Sequence, residues 1–192
     1  MKKAYVLVEG PNEVAFLKKV LSPDAQSGVH FVEEEGESNI TSLARSLLVS
    51  RRVPVAVFMD AHSLEPYVIK ERRKGMEEMI KFSTAPLPVK VVVAVPELEA
   101  CFFAVPEVIE RVLGVKVPTD LIPLGLRDPK GVLAYLEAGK QPKWDTLRAI
   151  AEMDAHDVER VRATAPVQEL TTFLQSLPQP EPVELSANPV GT

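Results

Sequence analysis

The chain has 192 residues, of which 46% are hydrophobic and 26% are charged, with one cysteine and a formal net charge of −5. This composition excludes a fully disordered chain and an internal disulfide, and it argues against a broadly basic nucleic-acid-binding surface. No apolar run approaches the roughly 18 residues of a membrane span, and the first residues do not resemble a cleavable signal. We therefore expect a cytoplasmic protein without a membrane segment.

Short apolar runs alternate with segments of helical periodicity in the N-terminal half. The runs are rich in valine and nearly continuous, which is typical of strands buried on both faces of a parallel sheet. They cover residues 4–8, 53–59 and 89–95, with a weaker run at 29–32. Apolar residues at helical spacing cover 14–21, 40–48 and 65–82. With right-handed crossovers, this order predicts an α/β fold with a four-stranded, mostly parallel sheet flanked by helices.

The C-terminal half has a different pattern. From Glu97 onward we find no convincing strand, only short helical stretches separated by prolines, several of which suit a first helical position. These stretches lie near 97–104, 106–113, 129–138, 143–152, 154–163 and 166–176. We therefore predict an α/β domain at 1–104 and a helical extension packed on it at 105–177. Residues 178–192 contain four of the 17 prolines and almost no large apolar side chains, which predicts a flexible tail.

Acidic residues follow three of the predicted strands at their carboxyl ends. They are Glu9 and Glu13 after the first strand, Asp60 (with His62) after the third, and Glu97 and Glu99 after the fourth. Ligands of open α/β sheets bind at these ends, so we expect the side chains to share one edge. Neighbouring carboxylates repel one another, and a divalent cation removes that penalty. A cysteine-free oxygen site suits magnesium or manganese and predicts chemistry on phosphoryl groups.

Each of these acids also has an ordinary structural interpretation. Glu13 falls in a first helical turn, where the helix dipole favours a negative charge, and an Asp after a strand is often a turn or cap residue. Glu97 and Glu99 would open the next helix. Acids at three of four strand ends favour the site hypothesis over these separate explanations.

Three segments carry a family resemblance. Val-Leu-Val-Glu-Gly-Pro-Asn-Glu at 6–13 and Met-Asp-Ala-His at 59–62 resemble TOPRIM domains, the metal-binding fold of topoisomerases, primases and overcoming-lysogenization-defect (OLD) nucleases. Val-Pro-Glu-Leu-Glu-Ala-Cys-Phe-Phe-Ala at 95–104 is similar to a segment of small bacterial TOPRIM-like proteins, as is Asp-Pro-Lys at 128–130. The resemblance covers about residues 3–104, and more loosely extends to 177.

This resemblance implies roles for the acidic residues. Glu9 would be a metal ligand or general acid/base, and Asp60 would be the first acid of an Asp-x-Asp pair, so both would be catalytic. Glu13, Glu97 and Glu99 would complete an OLD-type two-metal site. His62 stands where the second acid of the pair belongs. Neutral imidazole brings no negative charge and binds magnesium poorly, so either manganese or another transition metal is preferred or catalytic competence is lost.

Three functions follow from these patterns. The first is a metal-dependent phosphotransfer enzyme, most plausibly a nuclease acting on DNA or RNA. The alternative is a catalytically degenerate TOPRIM-like binding module in a defence or repair complex, beside a separately encoded ATPase as in some relatives. A phosphoacceptor signalling domain ranks last, because no fifth strand ending in a lysine follows Val95.

Two other features receive structural interpretations. The basic segment with Arg72 and Arg73 is diluted by glutamates, which favours an ordinary solvated helix face over a phosphate-binding patch. Trp144 is predicted to pack a helix, and Cys101 to be a buried small hydrophobe.

Overall fold

A computed structural model of the protein describes residues 3–82 and 86–178. The strands are β1 (Ala4–Val8), β2 (Val29–Glu33), β3 (Val55–Asp60) and β4 (Val89–Ala94). They form one sheet in the order β2-β1-β3-β4, and each neighbouring pair is parallel. The predicted α/β fold is confirmed, and the four-stranded sheet is parallel throughout. Of the predicted tail, all but Pro178 lies outside the described residues.

Helices connect the strands, and the described part of the chain after β4 contains helices and loops but no strand. Before β4 they are α1 (Pro11–Val20), α2 (Pro23–Gln26), α3 (Glu37–Arg51) and α4 (Pro66–Lys81). After β4, a 3₁₀ helix at Leu98–Ala104 precedes α5 (Pro106–Leu113), α6 (Leu121–Gly125), α7 (Pro129–Leu136), α8 (Thr146–Glu152), α9 (Ala155–Arg162) and α10 (Ala165–Ser176). Proline begins many of them because its fixed φ fits the first turn. In the described ranges, none of these helices is both long and apolar enough to cross a membrane.

The two faces of the sheet bury two separate apolar clusters. In β3, Val57 and Met59 point to the cluster that α3 and α4 cover. Ala56 and Phe58 point to the other cluster, which α1, the 3₁₀ helix and the C-terminal helices cover. Because strand side chains alternate with period two, Asp60 at the end of β3 points to the same side as Phe58. Its carboxylate therefore lies on the side of α1 and the 3₁₀ helix.

A chain of aromatic rings joins the elements beneath the acidic edge. Phe16 of α1 lies 6.5 Å from Phe58 of β3 and 6.1 Å from Phe102 of the 3₁₀ helix, between ring centroids. Phe102 in turn meets Trp144, just before α8, edge-on at 5.3 Å. Buried ring contacts of this kind are stiff and large in area, so they fix how these elements sit relative to one another.

Candidate metal centre

Three potential metal ligands meet at the carboxyl edge of the sheet. Asp60, His62 and Glu97 each offer one ligand atom, and these atoms all lie within 4.8 Å of one another. Asp60 is buried, Glu97 is half-buried and His62 is exposed. One wall of the group is therefore protein, and the His62 side opens to solvent.

The turn after β3 holds His62 in this group. The Ala61 N–H donates to the Ala94 carbonyl at 2.8 Å, and the His62 N–H donates to the Pro96 carbonyl, also at 2.8 Å. His62 has a φ of 50°, in the left-handed region that few residues other than glycine adopt. Backbone strain of this kind occurs often at functional sites, where the surrounding structure maintains it.

Asp60 is a buried carboxylate with little compensation of its charge. Its Oδ1 atom accepts one hydrogen bond, from the Leu98 N–H at 2.8 Å, and only 7% of the residue is exposed. The pKa of Asp60 is raised to about 7, chiefly by burial and further by repulsion from Glu99 and Glu13. The Leu98 hydrogen bond and the charge of Lys130 partly oppose this rise. Without a cation, this carboxyl group is therefore substantially protonated near neutral pH.

Glu9 and Glu13 extend the negative charge beyond the three-residue group. Glu9 directly follows β1, and Glu13 lies in the first turn of α1; both are half-buried. Burial raises the pKa of Glu13, and so does repulsion by Glu9 and Glu99. Glu13 is thus close enough to interact with acids on both sides of it, although it is not part of the 4.8 Å group.

Glu99 is held in place by the helical extension. It is 8% exposed, and its Oε1 atom accepts a hydrogen bond from the Thr146 hydroxyl at 3.1 Å. The same hydroxyl accepts a hydrogen bond from the indole N–H of Trp144 at 3.1 Å. This short relay fixes the orientation of Glu99 from the start of α8, so the extension takes part in building the site.

Lys130 places a positively charged side chain beside the acidic residues of this edge. Its ammonium group forms an ion pair with Glu97 and lies 4.0 Å from Glu99. Burial lowers the pKa of Lys130, but the hydrogen bond to Glu97 and the charges of Glu99, Glu97 and Asp60 outweigh this and raise it overall. Lys130 therefore stays charged and compensates part of the negative charge of the group.

The six side chains proposed from the sequence divide into two sets. Asp60, His62 and Glu97 form the compact group. Glu13 and Glu99 lie close enough to raise the pKa of Asp60, and Glu9 lies one step further out, where it raises the pKa of Glu13. Sequence reasoning assigned no role at the site to Lys130 or Thr146. The Asp-Pro-Lys segment was a usable signal for Lys130, because it belongs to the family resemblance, but nothing marks Thr146.

The donor set fits a divalent cation. The carboxylates of Asp60 and Glu97 provide negative charge and oxygen ligands, and the imidazole of His62 provides a nitrogen ligand, all within 4.8 Å of one another. Mixed oxygen and nitrogen donors suit manganese and other first-row transition metals better than magnesium. The pKa of Asp60 is raised chiefly by burial, and repulsion by Glu99 and Glu13 adds to this, so a bound cation would favour the ionised form of this carboxyl group.

No protein-family model, curated protein or solved structure matches this chain. The resemblance to TOPRIM and OLD-type proteins therefore stays a prediction from the quoted segments.

Proposed function

We propose that the protein is a TOPRIM-like, divalent-metal-dependent phosphotransfer enzyme, specifically a nuclease acting on DNA or RNA. The observation that supports this most is the meeting of Asp60, His62 and Glu97 within 4.8 Å, at the edge of a parallel sheet where ligands of such folds bind. Further carboxylates beside them would suit a second cation.

In this proposal, Asp60, His62 and Glu97 hold the cation, and Glu9, Glu13 and Glu99 contribute negative charge around it. The bound cation would polarise a phosphoryl oxygen and lower the pKa of a coordinated water. Lys130 carries a positive charge beside the ligands and is suited to contact a substrate phosphate once a cation compensates Glu97. Glu9, half-buried directly after β1, would act as a further metal ligand or would accept and return a proton.

The metal expected in this site is manganese. His62 supplies a nitrogen donor where a second carboxylate would otherwise stand, so the charge available to magnesium is reduced. We expect activity with Mn²⁺ to exceed activity with Mg²⁺, and we expect His62→Asp to reduce that difference.

The experiment measures cleavage of end-labelled single- and double-stranded DNA and RNA oligonucleotides by the full chain in Mn²⁺. We expect Asp60→Asn and Glu9→Gln to reduce cleavage at least 100-fold, in the range that loss of an essential catalytic group produces. Circular dichroism of each variant reports whether the fold is intact.

The matched control is Glu33→Gln. Glu33 is also an acid at the carboxyl end of a strand, but it ends the edge strand β2, is exposed and lies outside the metal-binding group. The Glu33→Gln variant should cleave like the wild type. Undiminished cleavage by Asp60→Asn and Glu9→Gln would refute the assignment of the site.

A second function is supported by the ion pair between Lys130 and Glu97. The ammonium group of Lys130 already compensates Glu97 and, together with His62 in the acid position, favours a binding module that has lost catalysis. This alternative predicts no Mn²⁺ or Mg²⁺ binding at millimolar concentration. The enzyme proposal predicts Mn²⁺ binding that Asp60→Asn weakens.

A further inference from the structure

Arg72 joins two helices to the strand end that carries the proposed ligands. Its Nη1 atom donates to the carbonyl oxygens of Asp60 at 3.2 Å and of Ala61 at 2.9 Å. Its Nε and Nη2 atoms both contact Oε2 of Glu37, at 2.9 and 2.8 Å. Arg72 lies in α4 and Glu37 begins α3, so one guanidinium group connects both helices to the end of β3.

The two carbonyl groups lie beyond the regular pairing of β1 with β3. The register of that pair ends at Val8 and Phe58, two residues before Asp60. A backbone carbonyl at the end of a ladder needs another donor, and here Arg72 supplies it. The sequence interpretation of Arg72 as part of a solvated helix face is therefore incomplete, because its side chain is only 26% exposed and each of its three guanidinium nitrogens has a partner.

The position of these contacts gives them a functional meaning. The Asp60 and Ala61 carbonyl groups belong to the two residues that directly precede His62, the residue with the left-handed backbone conformation. On its other side, His62 is held by the hydrogen bond from its N–H to Pro96. The segment from Asp60 to His62 is thus fixed from α4 on one side and from the β4 end on the other.

We propose that Arg72, oriented by Glu37, is a positioning residue for the metal centre: it holds the Asp60–His62 segment in the geometry that lets both side chains bind one cation. The inference rests on the proposed metal site. Arg72 donates to backbone oxygens and does not contact the carboxylates of the group, so its contribution is geometric.

Charge and geometry make opposite predictions for Arg72. If the guanidinium acted only through its positive charge, its removal would reduce repulsion of the incoming cation, and Mn²⁺ would bind more tightly. If it positions the ligands, its removal weakens binding, by about 10- to 100-fold for groups that orient metal ligands. The sign of the change therefore separates the two.

The experiment titrates the full chain with Mn²⁺, following free Mn²⁺ by electron paramagnetic resonance, for the wild type, Arg72→Gln, Arg72→Lys and Glu37→Gln. Arg72→Gln should bind about 10- to 100-fold more weakly. Arg72→Lys keeps the charge but cannot span both carbonyls and Glu37, so it should also bind more weakly. The matched control is Arg73→Gln, which removes the neighbouring arginine, paired with Glu169 instead, and should bind like the wild type.

A second readout reports on the ligand itself. The chain has only three histidines, so the imidazole proton signals are resolvable by NMR. Substoichiometric Mn²⁺ should broaden the His62 signals of the wild type, and this selective broadening should decrease in Arg72→Gln while the protein remains folded. A change in stability alone would not produce that loss.

The possible outcomes are separate. Unchanged or tighter Mn²⁺ binding by Arg72→Gln, with selective His62 broadening retained, would overturn the positioning role and leave the metal site standing. A wild type that does not bind Mn²⁺ would overturn the metal site and, with it, this inference. Weaker binding by Arg72→Gln and Arg72→Lys, with Arg73→Gln unchanged, supports it.

Discussion

Two aspartates of this protein are buried to a similar degree but lie in opposite surroundings. Asp60, at the end of β3, is 7% exposed, and Asp157, in the first turn of α9, is 3% exposed. Asp157 forms an ion pair with Arg111, accepts the Asp154 N–H at 3.1 Å and completes a capping box. Asp60 has one backbone N–H and faces other acids.

The comparison separates an acid that serves the fold from one that the fold does not need. Burying a charge is costly unless the charge is paired and hydrogen-bonded. Asp157 meets both conditions. The ionised form of Asp60 is destabilised by burial that its contacts do not offset, and this raises the pKa of Asp60 to about 7. A buried carboxylate that the protein leaves uncompensated is a candidate functional group, and a bound cation would complete its compensation.

The largest effect on stability should come from the compensated aspartate. Asp157→Ala removes the ion pair to Arg111 and the capping box of α9, and we expect the free energy of unfolding to fall by about 3 kcal/mol. Urea unfolding in the absence of metal measures this. Glu159→Ala, in the same helix, removes an exposed partner of Arg162 and should change stability by less than about 0.5 kcal/mol. Equal effects of the two substitutions would contradict a structural role for Asp157.

The opposite sign is expected for Asp60. Without metal at pH 8, Asp60→Asn should raise the free energy of unfolding by about 2 kcal/mol, because the amide oxygen can still accept from Leu98 and no buried charge remains. The same urea unfolding experiment measures this. A loss of stability would show that the carboxylate is compensated in a way that its contacts do not indicate.

The pH dependence gives this prediction a second check. The pKa of Asp60 is raised in the folded protein, so between about pH 4 and pH 7 the folded state holds a proton that the unfolded state has released. The contribution of Asp60 to stability should therefore fall as pH rises through this window and become level above it, and the difference between the wild type and Asp60→Asn isolates this contribution. The advantage of Asp60→Asn should be small near pH 4 and largest above pH 7.

The elements that sequence analysis predicted are those with a local signal. Strands buried on both faces must be apolar throughout, so the valine-rich runs at 53–59 and 89–95 indicate β3 (Val55–Asp60) and β4 (Val89–Ala94). The acids after these strands were recognisable as a group because the carboxyl ends of parallel strands lie at one edge of the sheet. Helices α2 and α6, of four and five residues, are too short to show periodicity and were missed.

The elements of the site that were missed depend on contacts between distant parts of the chain. Lys130 meets Glu97 across 33 residues, Thr146 meets Glu99 across 47, and Arg72 meets Glu37 across 35. In the sequence, Thr146 and Arg72 look like ordinary helix residues, and Lys130 is marked only by the family resemblance of its segment. Their roles follow from how the helices pack on the sheet, which residue patterns alone do not specify.

The smallest effect on stability and on Mn²⁺ binding should come from removing Lys130, which compensates part of the negative charge of the site. Lys130 is 60% exposed on its side chain, so its ion pair with Glu97 is screened, and exposed pairs contribute about 0–1 kcal/mol. Lys130→Gln should leave stability almost unchanged and tighten Mn²⁺ binding about threefold, because the ammonium group competes with the cation for Glu97. The control Lys143→Gln removes a similar lysine paired with Glu137, which lies outside the metal-binding group, and should not change Mn²⁺ binding. Weaker binding by Lys130→Gln would mean that Lys130 orients Glu97 for the metal instead of competing with it, and would place Lys130 with Arg72 among the positioning residues.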